Sequence, residues 1–337
     1  MPPTRGRGPS RGMTPEDVYE LVTVGDPRVS PDGKTVAFVV TTIDRDESTY
    51  TSAIWMVPTD GSAKPRRFTF GDRRDASPRW SPDGTRLAFV STRDNEKAAQ
   101  LYVIPVEGGE ALQLTDTKES VDEATWSPDG TTIAFSSRVR DKAYDEEKDS
   151  KRTPRHIKKL KYRLDSVGWT FDRPRYLFVV PSDGSSEPRQ ITKGSSGDST
   201  PTWAPDSKRI AFVSARHRNS DIDLVNDIYV TDVTGSKPRK VTRTEDSCSA
   251  PSWSPDGKFI AFNCTPERVG TKHQQVAVVD AAGRTRRKVL TYSLDRNCSP
   301  FMAGREPMWQ GNNVVFAIED HGNNALYNVR TSGTSKP

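Results

Sequence analysis

Residues Trp80–Ser91 read WSPDGTRLAFVS, and this stretch decides the fold. Pro82 presets φ for the first central position of a tight turn. The short side chain of Asp83 bonds the backbone two residues on, and Gly84 accepts the positive φ that closes the turn. Beyond the turn, Leu87 and Phe89 fall on one face of a strand and Ala88 and Val90 on the other. Both faces are apolar, so the strand is expected to be covered on both sides. Ala88 lets one neighbour approach closely, while Phe89 fills the space on the opposite side.

The same reading recurs along the chain. VSPDGKTVAFVV begins at Val29, WSPDGTTIAFSS at Trp126, WAPDSKRIAFVS at Trp203 and WSPDGKFIAFNC at Trp253. A worn copy, WQGNNVVFAI, begins at Trp309. The phenylalanines Phe38, Phe89, Phe135, Phe212, Phe262 and Phe316 are separated by 51, 46, 77, 50 and 54 residues, so the long third interval holds an insertion. A second element follows each copy, as in IWMVPTDGSAKPRRFT from Ile54 and LYVIPVEGGEALQLT from Leu101. Each unit therefore holds four antiparallel strands in about 50 residues, the pattern of a propeller blade. The expected fold is all-β, a propeller of about six four-stranded blades with the last one incomplete.

Composition agrees. Of 337 residues, 33% are hydrophobic and 28% charged, and no run approaches the roughly 20 apolar residues of a spanning helix. A net charge of +5 is too mild at this length to imply a nucleic-acid partner. Cys248, Cys264 and Cys298 form no CxxC pair, which argues against a zinc site or disulfide framework and for a reducing compartment. The basic, Gly- and Pro-rich opening lacks the apolar core of a secretory signal. Residues 1–13 read as a disordered tail, residues 14–28 as a short helix and lead-in, and residues 29–337 as the propeller. Thr14, Pro15, Glu16 and Asp17 make a good helix start. The expected location is cytoplasmic.

The repeating residues invite a chemical reading that their regularity opposes. Asp32, Asp83, Asp129, Asp206 and Asp256 recur once per unit, which assigns them to turns rather than to a metal or acid–base array. Trp80, Trp126, Trp203 and Trp253 read as packing between blades. Neither a metal nor a cofactor is expected, since His or Glu does not recur inside the strands nearest the axis, as a central metal would require.

The units resemble the WD-like repeats of TolB-type propellers. They resemble still more closely the N-terminal propeller of the prolyl oligopeptidase family, in its acylaminoacyl-peptidase and dipeptidyl-peptidase branch. The segment RHIKKLKYRLDSVGW, with Tyr162, Arg163, Asp165, Gly168 and Trp169, is the most family-specific piece. The resemblance covers roughly residues 14–330 and implies a C-terminal α/β-hydrolase domain carrying a Ser-Asp-His triad on a Gly-x-Ser-x-Gly elbow. The nearest string here, Gly194-Ser195-Ser196-Gly197, lacks the second glycine at the required place. No catalytic residue is therefore assigned to this chain. LYNVRTSGTSKP, from Leu326, stops just before the outer strand that Arg66–Thr69 supply in the first blade, so a fragment of a longer peptidase is expected.

The insertion, about residues 138–175, contains KRTPRHIKKLKYR, seven cations without an acid. Three readings stand: a solvated loop, a nucleic-acid patch, and a structured arm facing a missing hydrolase domain, on which Ile157, Leu160, Tyr162 and Leu164 would pack. No nucleic-acid motif accompanies it. The resemblance implies that Arg163, Asp165 and Trp169 lie near the substrate entrance, binding a peptide carboxylate or carbonyl, a peptide amine and an apolar side chain respectively. The expected function is a non-catalytic propeller that gates short peptides for a hydrolase domain, its partner. This chain alone is expected to be inactive, and nucleic acid and membrane are not expected partners. The alternative is a stand-alone TolB-like interaction scaffold.

Overall fold

A computed structural model describes residues 12–71, 73–93, 97–146, 148–266, 272–300 and 305–332. The tail expected over residues 1–13 lies almost wholly outside them. Six antiparallel sheets follow one another as blades. Blade one holds Thr23–Val29, Thr35–Asp44, Thr49–Pro58 and Arg66–Arg67. Blade two holds Asp75–Trp80, Arg86–Ser91, Gln100–Pro105 and Leu112–Gln113. Blade three holds Val121–Trp126, Thr132–Arg138, Arg175–Pro181 and Arg189–Gln190, with the insertion between its second and third strands. Blade four holds Asp198–Trp203, Arg209–Ser214, Asp227–Asp232 and Arg239–Lys240. Blade five holds Ser247–Trp253, Phe259–Thr265, Gln275–Asp280 and Lys288–Val289. Blade six shows three strands among the described residues, Met308–Gln310, Asn313–Asp320 and Asn323–Arg330.

One expected boundary is corrected. The helix forms as a short 3-10 turn over Pro15–Glu20, with the Asp17 carboxylate accepting the Thr14 N–H at 2.7 Å. Residues 23–28, read as lead-in, instead form, with Val29, the inner strand Thr23–Val29 of blade one. Pro27 is tolerated within this strand. An inner strand pairs on one side only, so a proline costs no ladder bond there, and Pro78, Pro201 and Pro251 sit in the matching strands.

The inner strands also share a bulge. Asp26, Ser77, Glu123, Thr200 and Ala250 each stand at φ between 45° and 56°, three residues before the strand's end. The register slips at each of these points. Successive first strands of blades one to six lie against one another, which makes them the inner ring. The Ser-Pro-Asp-Gly turns and the turns between third and fourth strands share one face of the propeller. The second-to-third loops, including the insertion, occupy the other.

Five apolar clusters fill five seams between blades. Ile54 and Met56 of blade one meet Leu87, Phe89 and Tyr102 of blade two, for example, and Leu177 and Val179 of blade three meet Ile210, Phe212 and Tyr229 of blade four. Stacked ring pairs recur on the face toward the preceding blade: Phe89–Tyr102 at 5.7 Å, Phe135–Phe178 at 5.4 Å and Phe212–Tyr229 at 5.8 Å. A polar staple crosses the same five seams. Trp80 Nε1 donates to the Arg28 carbonyl, Trp126 to Arg79, Trp203 to Thr125, Trp253 to Thr202 and Trp309 to Ser252, all at 2.9–3.1 Å. Each indole thus pairs with a backbone group that an inner edge strand leaves free.

Candidate functional site

The turn aspartates bond locally. Asp32, Asp83, Asp129 and Asp256 each accept the hydroxyl of the serine two residues back at 2.5–2.6 Å. Each also accepts the backbone N–H two residues on at 3.0–3.1 Å. The serine oxygen in turn accepts the N–H that opens the next strand, as Ser81 does from Arg86 at 2.9 Å. These donors favour the ionised form, and Asp83 is pulled down to about 2 by the Ser81 hydroxyl and the Thr85 N–H. In blade four Ala204 replaces the serine, and Asp206 takes the Arg209 guanidinium at 2.7 Å instead. Among the described residues no three His, Cys, Asp or Glu converge to hold a metal.

The loop-bearing face is where the blades differ. The insertion leaves blade three at Arg138 and returns at Arg175, and its two ends are tied by one partly buried carboxylate. Glu119 pairs with Arg140 at 2.6 Å and with Arg173 at 2.7 Å. Sequence reasoning passed over Glu119; its signal was an acid just before an inner strand, matched by arginines at both ends of the insertion. Within the insertion, Arg163–Leu164 and Gly168–Trp169 pair as a hairpin. The basic stretch packs on this chain's own blade four. Asp221 accepts the backbone N–H of Leu160 at 2.8 Å and of Lys161 at 3.0 Å. Lys159 Nζ donates to the Ser195 carbonyl at 3.0 Å, and Lys161 Nζ to Ser220 at 2.7 Å and to Asp223.

Beneath this arm lies a cavity of about 500 Å³ between blades three and four. Leu164, Val167 and Phe171 supply its apolar wall, and Arg138, Lys159, Lys161 and Arg175 its cations. Of its two carboxylates, Asp221 is engaged by the arm, and the fully buried Asp198 pairs through one oxygen with Arg216 at 2.6 Å while its Oδ1 has no hydrogen-bond partner. Burial raises the Asp198 carboxyl above the ordinary carboxylate range. Arg138 is lowered by burial and then by neighbouring Arg175 and Arg173. Arg175 reaches Asp122 at 3.1 Å, yet its buried Nε has no hydrogen-bond partner. The cavity therefore carries an excess of positive charge with one unused donor, which suits an anionic group.

Arg163, Asp165 and Trp169 sit on the hairpin beside this cavity and not in its lining. Trp169 is enclosed in a stack with the Arg155 guanidinium 4.8 Å and that of Arg163 5.9 Å from its ring, and with Tyr162 at 5.6 Å. Asp165 is exposed near the hairpin's tip. The structure brings Arg163 and Trp169 together and leaves Asp165 apart.

A family model described as the TolB beta propeller domain matches residues 20–155 and 170–337. The chain belongs to this family. It is 33% identical over 227 residues to an uncharacterised peptidase, YuxL, of Bacillus subtilis, covering 65% of this chain and 33% of that protein. It is 32% identical over 113 residues to dipeptidyl-peptidase 5 of Porphyromonas endodontalis, covering 34% of this chain and 16% of that one. Among solved structures, Pyrococcus horikoshii acylaminoacyl peptidase shares the fold with a TM-score of 0.69 at 20% identity, over 93% of this chain and 46% of that one. The propeller of the Pyrococcus furiosus Trilobed protease, described as having an open velcro topology, aligns with a TM-score of 0.61 at 17% identity, over 92% and 81% of the two chains. This chain is thus a TolB-type propeller similar to parts of proteins named as peptidases, and it spans a third or less of the curated peptidases named here.

Proposed function

We propose that the chain gates and selects short peptides for a serine-peptidase α/β-hydrolase domain, and does not itself break bonds. The arm-covered cavity carries this reading. Its four cations against two carboxylates, and its unpaired Arg175 Nε, suit the carboxylate end of a peptide, with the Leu164–Phe171 wall beside it for an apolar side chain. The hairpin bearing Arg163, Asp165 and Trp169 borders the opening and would meet the peptide first. The reading places this work in the cytoplasm, without cofactor, nucleic acid or membrane. No helix among the described residues is long and apolar enough to cross a membrane.

Calorimetric titration of trialanine against its C-terminal amide tests it. The free carboxylate should bind about tenfold tighter, and the double variant Lys159→Gln, Arg175→Gln should erase that difference. Equal binding of the two peptides by the unaltered chain would refute the cavity's role. A fluorophosphonate should leave the chain unlabelled, and labelling would refute the non-catalytic assignment. In a polypeptide joining this propeller to a hydrolase domain, Arg163→Ala and Asp165→Ala should change kcat/KM for short peptides.

One observation favours a scaffold instead. Leu160, Ile222 and Leu224, around the arm, are 72%, 70% and 51% exposed, an apolar patch of the kind that meets a folded protein. Binding of a folded partner, with indifference to short peptides, would select that reading.

A further inference from the structure

We propose that a second cavity, between blades five and six, is a binding site for a primary ammonium group. It stands apart from the arm cavity and does not rest on the peptidase reading. The observation begins with one residue. After the repeated Ala-Phe, blades one, two and four carry Val39, Val90 and Val213, blade three carries Ser136, and blade five carries Asn263. In blade three the polar residue is answered by the bulge of the inner strand: Ser136 Oγ donates to Glu123 Oε2 at 2.7 Å. In blade five the bulge residue is Ala250, which has nothing to offer.

Asn263 is 2% exposed, and its Oδ1 has no hydrogen-bond partner. Gln274 Oε1, also buried, is unpartnered too. Both residues line a single cavity of about 440 Å³, together with Ser249, Ala250, Arg305 and Glu306. Two buried carbonyl oxygens left unpaired at one place call for a ligand that donates. An ammonium brings three N–H donors and one positive charge. Asn263 and Gln274 accept two of them, and Glu306 supplies the opposite charge at the rim. Arg305, which also lines the cavity, directs its guanidinium to the Pro27 carbonyl of blade one, donating at 2.6 Å. A calcium ion fits less well, since it takes six to eight oxygen ligands and commonly several carboxylates, and among the described residues Glu306 is the one carboxylate lining this cavity.

The ammonium belongs either to a peptide's amino terminus or to a lysine side chain. Three probes titrated into the full chain by calorimetry separate them: glycylglycinamide, its N-acetyl form, and Nα-acetyl-lysinamide. None carries a carboxylate, so they do not report on the arm cavity. At least one of the two amines should bind about tenfold tighter than the N-acetyl dipeptide, and which one does so names the source. Asn263→Val, which restores the residue of blades two and four, should lose that binding with an unchanged or higher Tm. Glu306→Gln, an exposed substitution, should weaken it several-fold without touching the core. Equal binding of the acetylated and free dipeptide amides with no lysinamide binding, no amine bound at millimolar concentration, or full affinity in Asn263→Val would overturn the proposal.

Discussion

The seam between blades three and four and the seam between blades six and one are built from the same repeat, yet only the first is filled. Between blades three and four, Phe212 and Tyr229 stack in a buried cluster with Leu177 and Val179, and Trp203 staples the inner strands. Between blades six and one, no apolar cluster forms among the described residues. The matching ring pair of blade one, Phe38 opposite Trp55, is only half-buried. Val29 takes the place of the stapling tryptophan and is 59% exposed, and Leu326 across the gap is 75% exposed. The hydrogen bond from Arg305 to the Pro27 carbonyl reaches across. A blade's two faces are thus complementary to its neighbours rather than to itself, and each face depends on what stands beside it.

The largest expected effect follows from that contrast. Phe212→Ala opens a cavity in a filled seam and should cost about 3–5 kcal/mol in urea unfolding, whereas Phe38→Ala should cost under about half as much. Equal costs would break the comparison. Next, Trp203→Phe leaves the Thr125 carbonyl without its indole donor and should cost about 1–3 kcal/mol. Val29→Trp, by contrast, should gain no comparable stability.

Smaller effects sharpen the account of the turns. The depressed carboxyl of Asp83 stabilises the fold fully above its unfolded range near pH 4, and the contribution is lost as pH falls toward about 2. Asp83→Asn should flatten the acid limb of the stability profile in that window and leave stability above pH 5 nearly independent of pH. Smallest of all, burial pushes the Cys248 thiol up and the Cys264 thiol to about 12. A maleimide at neutral pH should label none of the three cysteines in the folded chain and all of them in urea.

How much of this was legible differs by region. The blades were, because Trp, Pro-Asp-Gly and Ala-Phe each have a local physical reason to recur. The inner strand of blade one was not, because Val29 replaces the tryptophan and Pro27 looks like a strand breaker away from an edge. The bulges escaped because Asp26, Ser77, Glu123, Thr200 and Ala250 hold a backbone conformation for which glycine is the usual signal. At the arm, the presence of an insertion was readable from the 77-residue interval between Phe135 and Phe212. Its docking on Asp221 was not, since that contact joins residues about 60 positions apart. The cavity at Asn263 was visible in sequence only as one of two polar departures, with Ser136, from a column that is otherwise valine in blades one to five.

The most direct measurement of the central claim is hydrogen–deuterium exchange resolved by blade. Filled seams should protect the second and third strands of blades two to five up to the global unfolding free energy, while Thr35–Asp44 and Thr49–Pro58 of blade one and Asn323–Arg330 of blade six exchange earlier. Uniform protection of all six blades would contradict it.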